Sequence, residues 1–201
     1  PLLEPSFLYG GYPPKPLRHK FLMAQPCECE DVTGPDFPAE VKVLPLPGHF
    51  FDMAGYLLPD GTAFIADSLS SEETLGKYGF PFVYDVAAYL DTLDKLPGIG
   101  AEMYVPAHAP VQKDIAPLAE LNRRYIERLG ELVLRLCVEP RSFEDMLKLA
   151  FDDLGLELNF QQYVLAGSTL RSFLAWHLDA GRVSAEFVEN RLIWKREFVQ
   201  P

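Results

Sequence analysis

The chain has 201 residues and a formal net charge of −11, with 18 Lys and Arg against 29 Asp and Glu. This acidity argues against broad nucleic-acid binding, which needs clustered Lys and Arg, and it favours small molecules or metal cations as ligands. Hydrophobic residues make up 48% and aromatic residues 12% of the sequence, which excludes wholesale disorder and predicts a buried core.

The cysteines and the hydropathy pattern bear on the cellular compartment. Cys27, Cys29 and Cys137 are too few and too unevenly placed for a disulfide framework, so we predict a reduced cytoplasmic protein. There is no apolar run of 18 residues for a membrane span and no signal-peptide pattern. Because the sequence opens on Pro1 and not on Met, we expect a processed, trimmed or cleaved chain.

The first 20 residues are dense in proline, which fixes φ and cannot donate to a strand ladder. They therefore predict extended or turn-rich backbone, and a short strand is predicted for residues 21–25. Residues 40–46 change from alternating to continuously apolar, which predicts a strand entering the core. Pro59-Asp60-Gly61 predicts a hairpin between strands at residues 53–58 and 62–66.

The next segment predicts two helices and a last strand. Ser70 or Ser71 can cap a short helix over residues 72–77, and Asp85 starts a longer helix with one apolar stripe that includes Tyr89. Pro97-Gly98 ends that helix, and residues 103–106 form the strand that precedes His108.

From Ala116 onward the apolar periodicity is helical. It predicts one helix that ends before Pro140, a second from Ser142 through residue 151, and a third over residues 161–180. A two-stranded ribbon follows, and three helices before a hairpin suggest a winged-helix module. We place the domain boundary near Asp114, which divides the chain into residues 1–113 and 114–201.

Three polar residues stand where predicted strands end: His49, Asp67 and His108. Neutral imidazole and carboxylate are ligands that suit Zn²⁺, Mn²⁺ or Fe²⁺. A lone histidine after a strand is nevertheless more often structural, and an aspartate there is more often part of a turn. The pattern by itself leaves both interpretations open.

Pro-Gly-His49, then Phe-Ile-Ala-Asp67, then Val-Pro-Ala-His108 resembles the second half of a metallo-β-lactamase-fold hydrolase. The resemblance covers about residues 40–110. It implies that His49 is a ligand of the first metal ion, that Asp67 bridges two metal ions, and that His108 is a ligand of the second. The tail from Ser168 to Trp194 is similar to the winged-helix appendage of many such hydrolases.

The resemblance implies an α+β fold, namely half of a four-layer αββα sandwich followed by a winged-helix-like domain. It implies two zinc ions per intact site, with iron or manganese as alternatives, and a small-molecule ester, thioester or phosphodiester as substrate. Phe50 and Phe51 beside the site suggest an apolar wall of a substrate pocket or, equally, core packing.

The sequence also departs from this family. The His-x-His-x-Asp-His motif, which supplies the remaining ligands, does not occur in these residues, and Ala66 and Ala107 stand where glycines are expected. We therefore expect this chain alone to be inactive or weakly metal-binding. Half of such a sandwich would expose an apolar sheet face, so we expect it to pair with the missing N-terminal half or with a second copy as a homodimer.

Two other functions remain open. A non-catalytic interaction or dimerisation module on the same fold would need no metal. A nuclease is disfavoured by the acidity, since the third helix of the tail carries only Arg171 as a cation. His177 is predicted to be a helix-face residue near the C-terminus of that helix, where a cation is favoured.

Overall fold

The computed structural model, which describes residues 3–23, 28–29 and 31–198, confirms the predicted α+β fold. The first sheet consists of β1 (Lys42–Pro45), β2 (Ala54–Leu57), β3 (Thr62–Phe64) and β4 (Met103–Val105) in that spatial order. β1 and β2 pair antiparallel, as do β2 and β3, whereas β3 and β4 pair parallel. The carboxyl ends of β1, β3 and β4 therefore lie at the same edge of the sheet.

A parallel pair such as β3 and β4 needs a crossover connection, and two helices provide it. The crossover contains α2 (Glu72–Tyr78) and α3 (Val86–Lys95), close to where the sequence predicts them. Ser71 and Asp85 cap these helices, and each side chain accepts the backbone N–H three residues further on. A short 3₁₀ turn, Leu96–Ile99, then leads into β4.

The second half of the chain is mostly helical and contains the three predicted helices and the predicted ribbon, together with a short strand that the sequence did not predict. It contains α4 (Ala116–Leu136), β5 (Arg141–Ser142), α5 (Phe143–Leu154), α6 (Phe160–Asp179), β6 (Val183–Val188) and β7 (Arg191–Arg196). The three strands form a small sheet in the order β5-β7-β6. The winged-helix assignment and the division near Asp114 stay predictions. Among the described helices, none is both long and apolar enough to cross a membrane.

One cluster of buried side chains connects the two halves of the chain. It extends from Leu44 and Ile65 in the sheet region to Ile126, Phe173 and Val183 in the helical region. The sheet is covered by helices on the face that carries these residues. The loops at its carboxyl edge are therefore packed against helices from both halves.

The amino-terminal segment differs from its prediction. Residues 3–9 form a helix, α1 (Leu3–Tyr9), although extended or turn-rich backbone is predicted for residues 1–20. Pro5 lies in the first turns of this helix, where a missing N–H costs little because no partner is available for it. Leu8 packs in a second buried cluster with Leu17, Leu22 and Val164. Residues 21–23 form a turn and not a strand, and residues 24–25 of that predicted strand lie outside the described residues.

The expectation that a cation is favoured at His177 is also wrong. Its side chain is buried in the core, at 1% exposure, because α6 packs that face against α4. Burial lowers the pKa of His177 to about 4, so the ring is neutral near pH 7. Nε2 of the neutral ring lies 2.9 Å from the carbonyl oxygen of Gly130, to which it donates.

Candidate metal centre

His49, Asp67 and His108 meet at the carboxyl edge of the first sheet, because each follows one of the three strands that end there. His49 Nε2 lies 3.6 Å from Asp67 Oδ2, and His108 Nε2 lies 3.4 Å from Asp67 Oδ1. Both distances exceed the length of an ordinary N–H···O hydrogen bond. The two imidazoles thus approach different oxygens of one carboxylate.

The turn before His49 is held against α3. Gly48 has φ +120°, and a Cβ added there would collide with the backbone of Tyr89. The carbonyl of Gly48 accepts backbone N–H bonds from Tyr84 at 3.0 Å and Asp85 at 2.9 Å. Only glycine satisfies both the positive φ and the close approach, which explains the Pro-Gly-His sequence.

The backbone also fixes Asp67 and His108 relative to each other. The N–H of Ala107 donates to the carbonyl of Ala66 at 2.9 Å, and the N–H of Ser71 donates to the carbonyl of His108 at 2.9 Å. Ala66 has φ +46°, a left-handed conformation in which glycine is less strained. This geometry explains why a glycine is expected before the aspartate.

The helical half of the chain supports the loop after Asp67. Asn122 of α4 is fully buried, and its side chain accepts the N–H of Ser70 at 2.9 Å and donates to the carbonyl of Ser70 at 2.8 Å. The hydroxyl of Tyr125 donates to the carbonyl of Gly79, at the end of α2, at 2.7 Å. Sequence reasoning missed both residues, since their partners lie about 50 positions away in the chain.

The electrostatics of the site favour neutral imidazole at His49, whose side chain is 24% exposed. Burial lowers the pKa of His49, and the negative charge of Asp67 offsets this only in part. Neutral imidazole is the form that binds metal ions. Burial also raises the pKa of Tyr89 far above its usual range, with a further contribution from Asp67, so its phenol stays protonated.

The donor atoms of the three side chains suit a metal ion, but their number does not complete a site for one ion. In a tetrahedral zinc site with bonds of about 2.0–2.1 Å, ligand atoms lie roughly 3.3–3.4 Å apart, which is close to both measured separations. Within the described residues, however, no group of three or more His, Cys, Asp or Glu side chains is arranged to hold a single ion. The geometry provides two His–carboxylate pairs, and each pair leaves further coordination positions to other ligands.

A cavity of about 270 Å³ opens beside these pairs. Leu75, Phe80 and Leu165 give it apolar walls, while Tyr89 and Gln162 contribute polar groups. Leu165 and Gln162 come from α6, so the helical half of the chain forms part of the site. No local sequence signal identifies these residues. Tyr89 lies in the apolar stripe of α3, and Gln162 becomes adjacent to the site only through tertiary packing.

Phe50 and Phe51 line a second cavity of about 560 Å³, which also reaches His49 and Asp67. Their rings lie 4.5 Å apart between centroids, and Phe51 also packs against Tyr84 at 4.5 Å. Phe7 of α1 joins this cluster, at 5.2 Å from Phe51. The two phenylalanines therefore take part in packing and also border the space next to the candidate metal centre.

Comparisons with known proteins agree with this architecture. The chain is 28% identical over 103 residues to the lactamase-like protein nscB of Neosartorya fischeri, a match that covers 51% of this chain and 30% of that protein. A solved metallo-beta-lactamase family protein from Thermus thermophilus superposes with a TM-score of 0.65 and 18% identity, over 93% of this chain and 56% of that one. A solved beta-lactamase domain protein from Burkholderia ambifaria gives a TM-score of 0.63 and 17% identity, over 88% of this chain and 54% of that one. No family model matches the sequence.

At these identities the structural likeness shows the fold alone, and that fold is the metallo-β-lactamase fold. The chain spans just over half the length of the two solved structures and less than a third of the length of the curated relative.

Proposed function

We propose that this chain, which has the metallo-β-lactamase fold, supplies part of the active site of a metal-dependent hydrolase acting on an ester, a thioester or a phosphodiester. The observation that carries the proposal is the approach of two imidazoles to the two oxygens of Asp67, at 3.6 and 3.4 Å. A carboxylate that faces a different imidazole with each oxygen is suited to bridge two metal ions.

In this proposal His49 and His108 are metal ligands through Nε2, and Asp67 is a ligand through both carboxylate oxygens. When bound, zinc would stabilise the negative charge that develops on the substrate oxygen during hydrolysis. The chain's own contribution is to hold the ligands in place: Gly48 fixes the backbone at His49, and the bond from Ala107 to Ala66 fixes the spacing of the other two. None of the three ligands serves as general acid or base.

Zinc binding by the 201-residue chain tests this assignment. In calorimetric titrations we expect measurable binding by the native chain, and a loss of at least about tenfold in affinity for His49→Ala and for Asp67→Asn, since even the supporting partners of metal ligands are worth that much. His19→Ala, which removes a histidine outside the site, is the matched control and should leave affinity unchanged. Equal affinity of the native chain and His49→Ala would contradict the proposal.

Activity measurements test a second part of the proposal, namely that the chain supplies only part of the site. We expect no ester hydrolysis by the isolated chain, because three ligands leave the coordination of two ions incomplete. Turnover of an ester by the zinc-loaded chain would show that its own residues suffice.

A non-catalytic interaction module is the second candidate, and the open face of the first sheet favours it. Val43, Tyr56, Phe64 and Val105 are directly paired across the four strands, so they form one apolar row. Such a row is suited to bind another polypeptide surface. Absence of zinc binding by the native chain would favour the module over the hydrolase, whereas self-association through this row is expected of both.

A further inference from the structure

The cavity next to the metal centre has the size of a small organic group. Its volume is about 270 Å³, and at roughly 30 Å³ per non-hydrogen group it accommodates about nine such groups. Leu75 of α2, Phe80 of the following loop and Leu165 of α6 line it with apolar surface, and His49 and Asp67 also line it. An apolar group in this cavity would place its polar end beside the candidate ligands.

Tyr89 contributes a hydroxyl group to the lining of this cavity. Its side chain lines the cavity and is only 5% exposed. Its hydroxyl has no hydrogen-bond partner among the described residues. Tyr104 is a tyrosine of similar burial, but its hydroxyl accepts the N–H of Ala101 at 3.2 Å. The Tyr89 oxygen is not among the fully buried polar atoms of the described chain that lack a partner, so it borders the open space of the cavity. A group that enters the cavity can therefore accept a hydrogen bond from this hydroxyl.

The charges around the cavity define the class of ligand. Neither this cavity nor the neighbouring one beside Phe50 is lined by a Lys or Arg of the described chain, and Glu4 and Asp52 border the second. A phosphodiester would therefore meet no Lys or Arg of the described chain in either cavity. Gln161 and Gln162, at the start of α6, are uncharged donors and acceptors. An uncharged carbonyl compound suits this lining better than an anion.

We propose that this cavity binds the apolar acyl or aryl body of an ester or thioester, and that the Tyr89 hydroxyl donates a hydrogen bond to the carbonyl oxygen of that substrate. The inference rests on the proposed function and narrows its substrate class to neutral acyl compounds. Tyr89 acts as a binding residue that orients the carbonyl beside Asp67. Helix α6 then contributes to specificity, because Leu165 and Gln162 set the depth of the cavity.

Binding of hexanamide to the metal-free chain tests the inference without turnover, since this amide carries an apolar tail and a carbonyl of the required size. By NMR titration we expect a Kd of roughly 1 mM, as befits a ligand of this size. Hexanoate, which adds a negative charge, and acetamide, which lacks the tail, should bind at least about tenfold more weakly. Hexanoate binding as tightly as hexanamide would overturn the assignment to neutral acyl compounds.

Tyr89→Phe removes only the hydroxyl and should weaken hexanamide binding about five- to tenfold, the value of one hydrogen bond. Its melting temperature should not fall, because the hydroxyl has no partner in the described part of the fold. Tyr104→Phe, a buried tyrosine outside the cavity, is the control and should leave Kd unchanged. Unchanged affinity in a folded Tyr89→Phe variant, or no hexanamide binding by the native chain, would overturn the inference while leaving zinc binding to test the hydrolase separately.

Discussion

Both faces of the β1–β4 sheet carry apolar side chains, but one face is buried beneath helices and the other is covered only in part. On the covered face Leu44, Ala63 and Tyr104 are buried beneath helices of this same chain. On the open face Val43, Tyr56 and Val105 are half-buried, and Phe64 is 44% exposed.

This contrast distinguishes the face of the sheet that the chain's own helices bury from the face that they do not bury. The candidate ligands lie at the edge between the two faces and take their support from the covered side, through α3 and α4. The open side contributes no candidate ligand, and on its apolar row the Phe37 ring packs against Tyr56, at 6.1 Å between centroids. We therefore treat the covered side as self-sufficient and the open side as a surface for a partner. Four substitutions should distinguish the two sides, from the largest change in stability to the smallest.

Gly48→Ala disrupts the covered side and should have the largest effect. The added methyl group collides with the backbone of Tyr89, and alanine is also strained at φ +120°. Overpacking and backbone strain together should lower the free energy of unfolding by about 3 kcal/mol. Urea denaturation measures the change, with Gly98→Ala as control because a Cβ there meets no atom within 4 Å. Equal effects of the two substitutions would contradict the tight packing of the turn on α3.

His177 tests, through pH, the packing of α6 against α4. Its pKa is about 4 in the folded chain against 6.5 for an unperturbed histidine, so the unfolded chain binds this proton more readily. Stability is therefore complete above about pH 6.5 and should fall by on the order of 3 kcal/mol as the pH drops to about 4. His177→Gln, which keeps an N–H donor but does not titrate, should reduce this dependence when unfolding is measured between pH 7 and 4. A parallel decline in both proteins would show that His177 is not its source.

Ala66→Gly should have a smaller and opposite effect at the edge of the sheet. Glycine relieves the left-handed strain at φ +46° but loses entropy on folding, which leaves a net stabilisation of about 0.5–1 kcal/mol. Ala101→Gly, at a residue without positive φ, should be destabilising. Thermal unfolding of both variants measures the difference, and destabilisation by Ala66→Gly would contradict the strained backbone before Asp67.

Phe64→Lys should have the smallest effect on the stability of the single chain, because its side chain is largely exposed, but it should abolish association. In the absence of any other polypeptide, we expect a second copy to cover the open face and light scattering to give about twice the 22.6 kDa mass of the chain. Phe64→Lys should give the monomer, whereas Phe187→Lys, at an exposed site on β6, should leave the dimer intact. A native chain that is monomeric at high concentration would contradict self-association through this face.

Much of the fold could be predicted because its signals are local. Ser71 and Asp85 cap helices, Asp60-Gly61 forms the turn of a hairpin, and the apolar spacing of α4 to α6 is regular. The helix at Leu3–Tyr9 was missed because the density of prolines obscured that Pro5 lies in its first turns, where proline is tolerated. His177 was misjudged because its burial depends on the packing of α6 against α4.

The candidate site, like the fold, could be predicted from the sequence only in part. His49, Asp67 and His108 could be named because each follows a strand, and the parallel directions of β1, β3 and β4 bring their carboxyl ends together. Asn122 and Gln162 could not be named from the sequence, because each reaches the site only through tertiary contacts with a distant segment. The ligand roles themselves remain predictions that metal binding must test.

X-ray absorption at the zinc edge tests the central claim most directly, because it reports the atoms bound to the metal. For the zinc-loaded chain we predict nitrogen and oxygen neighbours at about 2.0–2.1 Å with an imidazole signature. This signature should be lost in the double variant His49→Ala, His108→Ala. Sulfur neighbours at about 2.3 Å, or an imidazole signature that persists in the double variant, would contradict the assignment of His49, Asp67 and His108 as the metal centre.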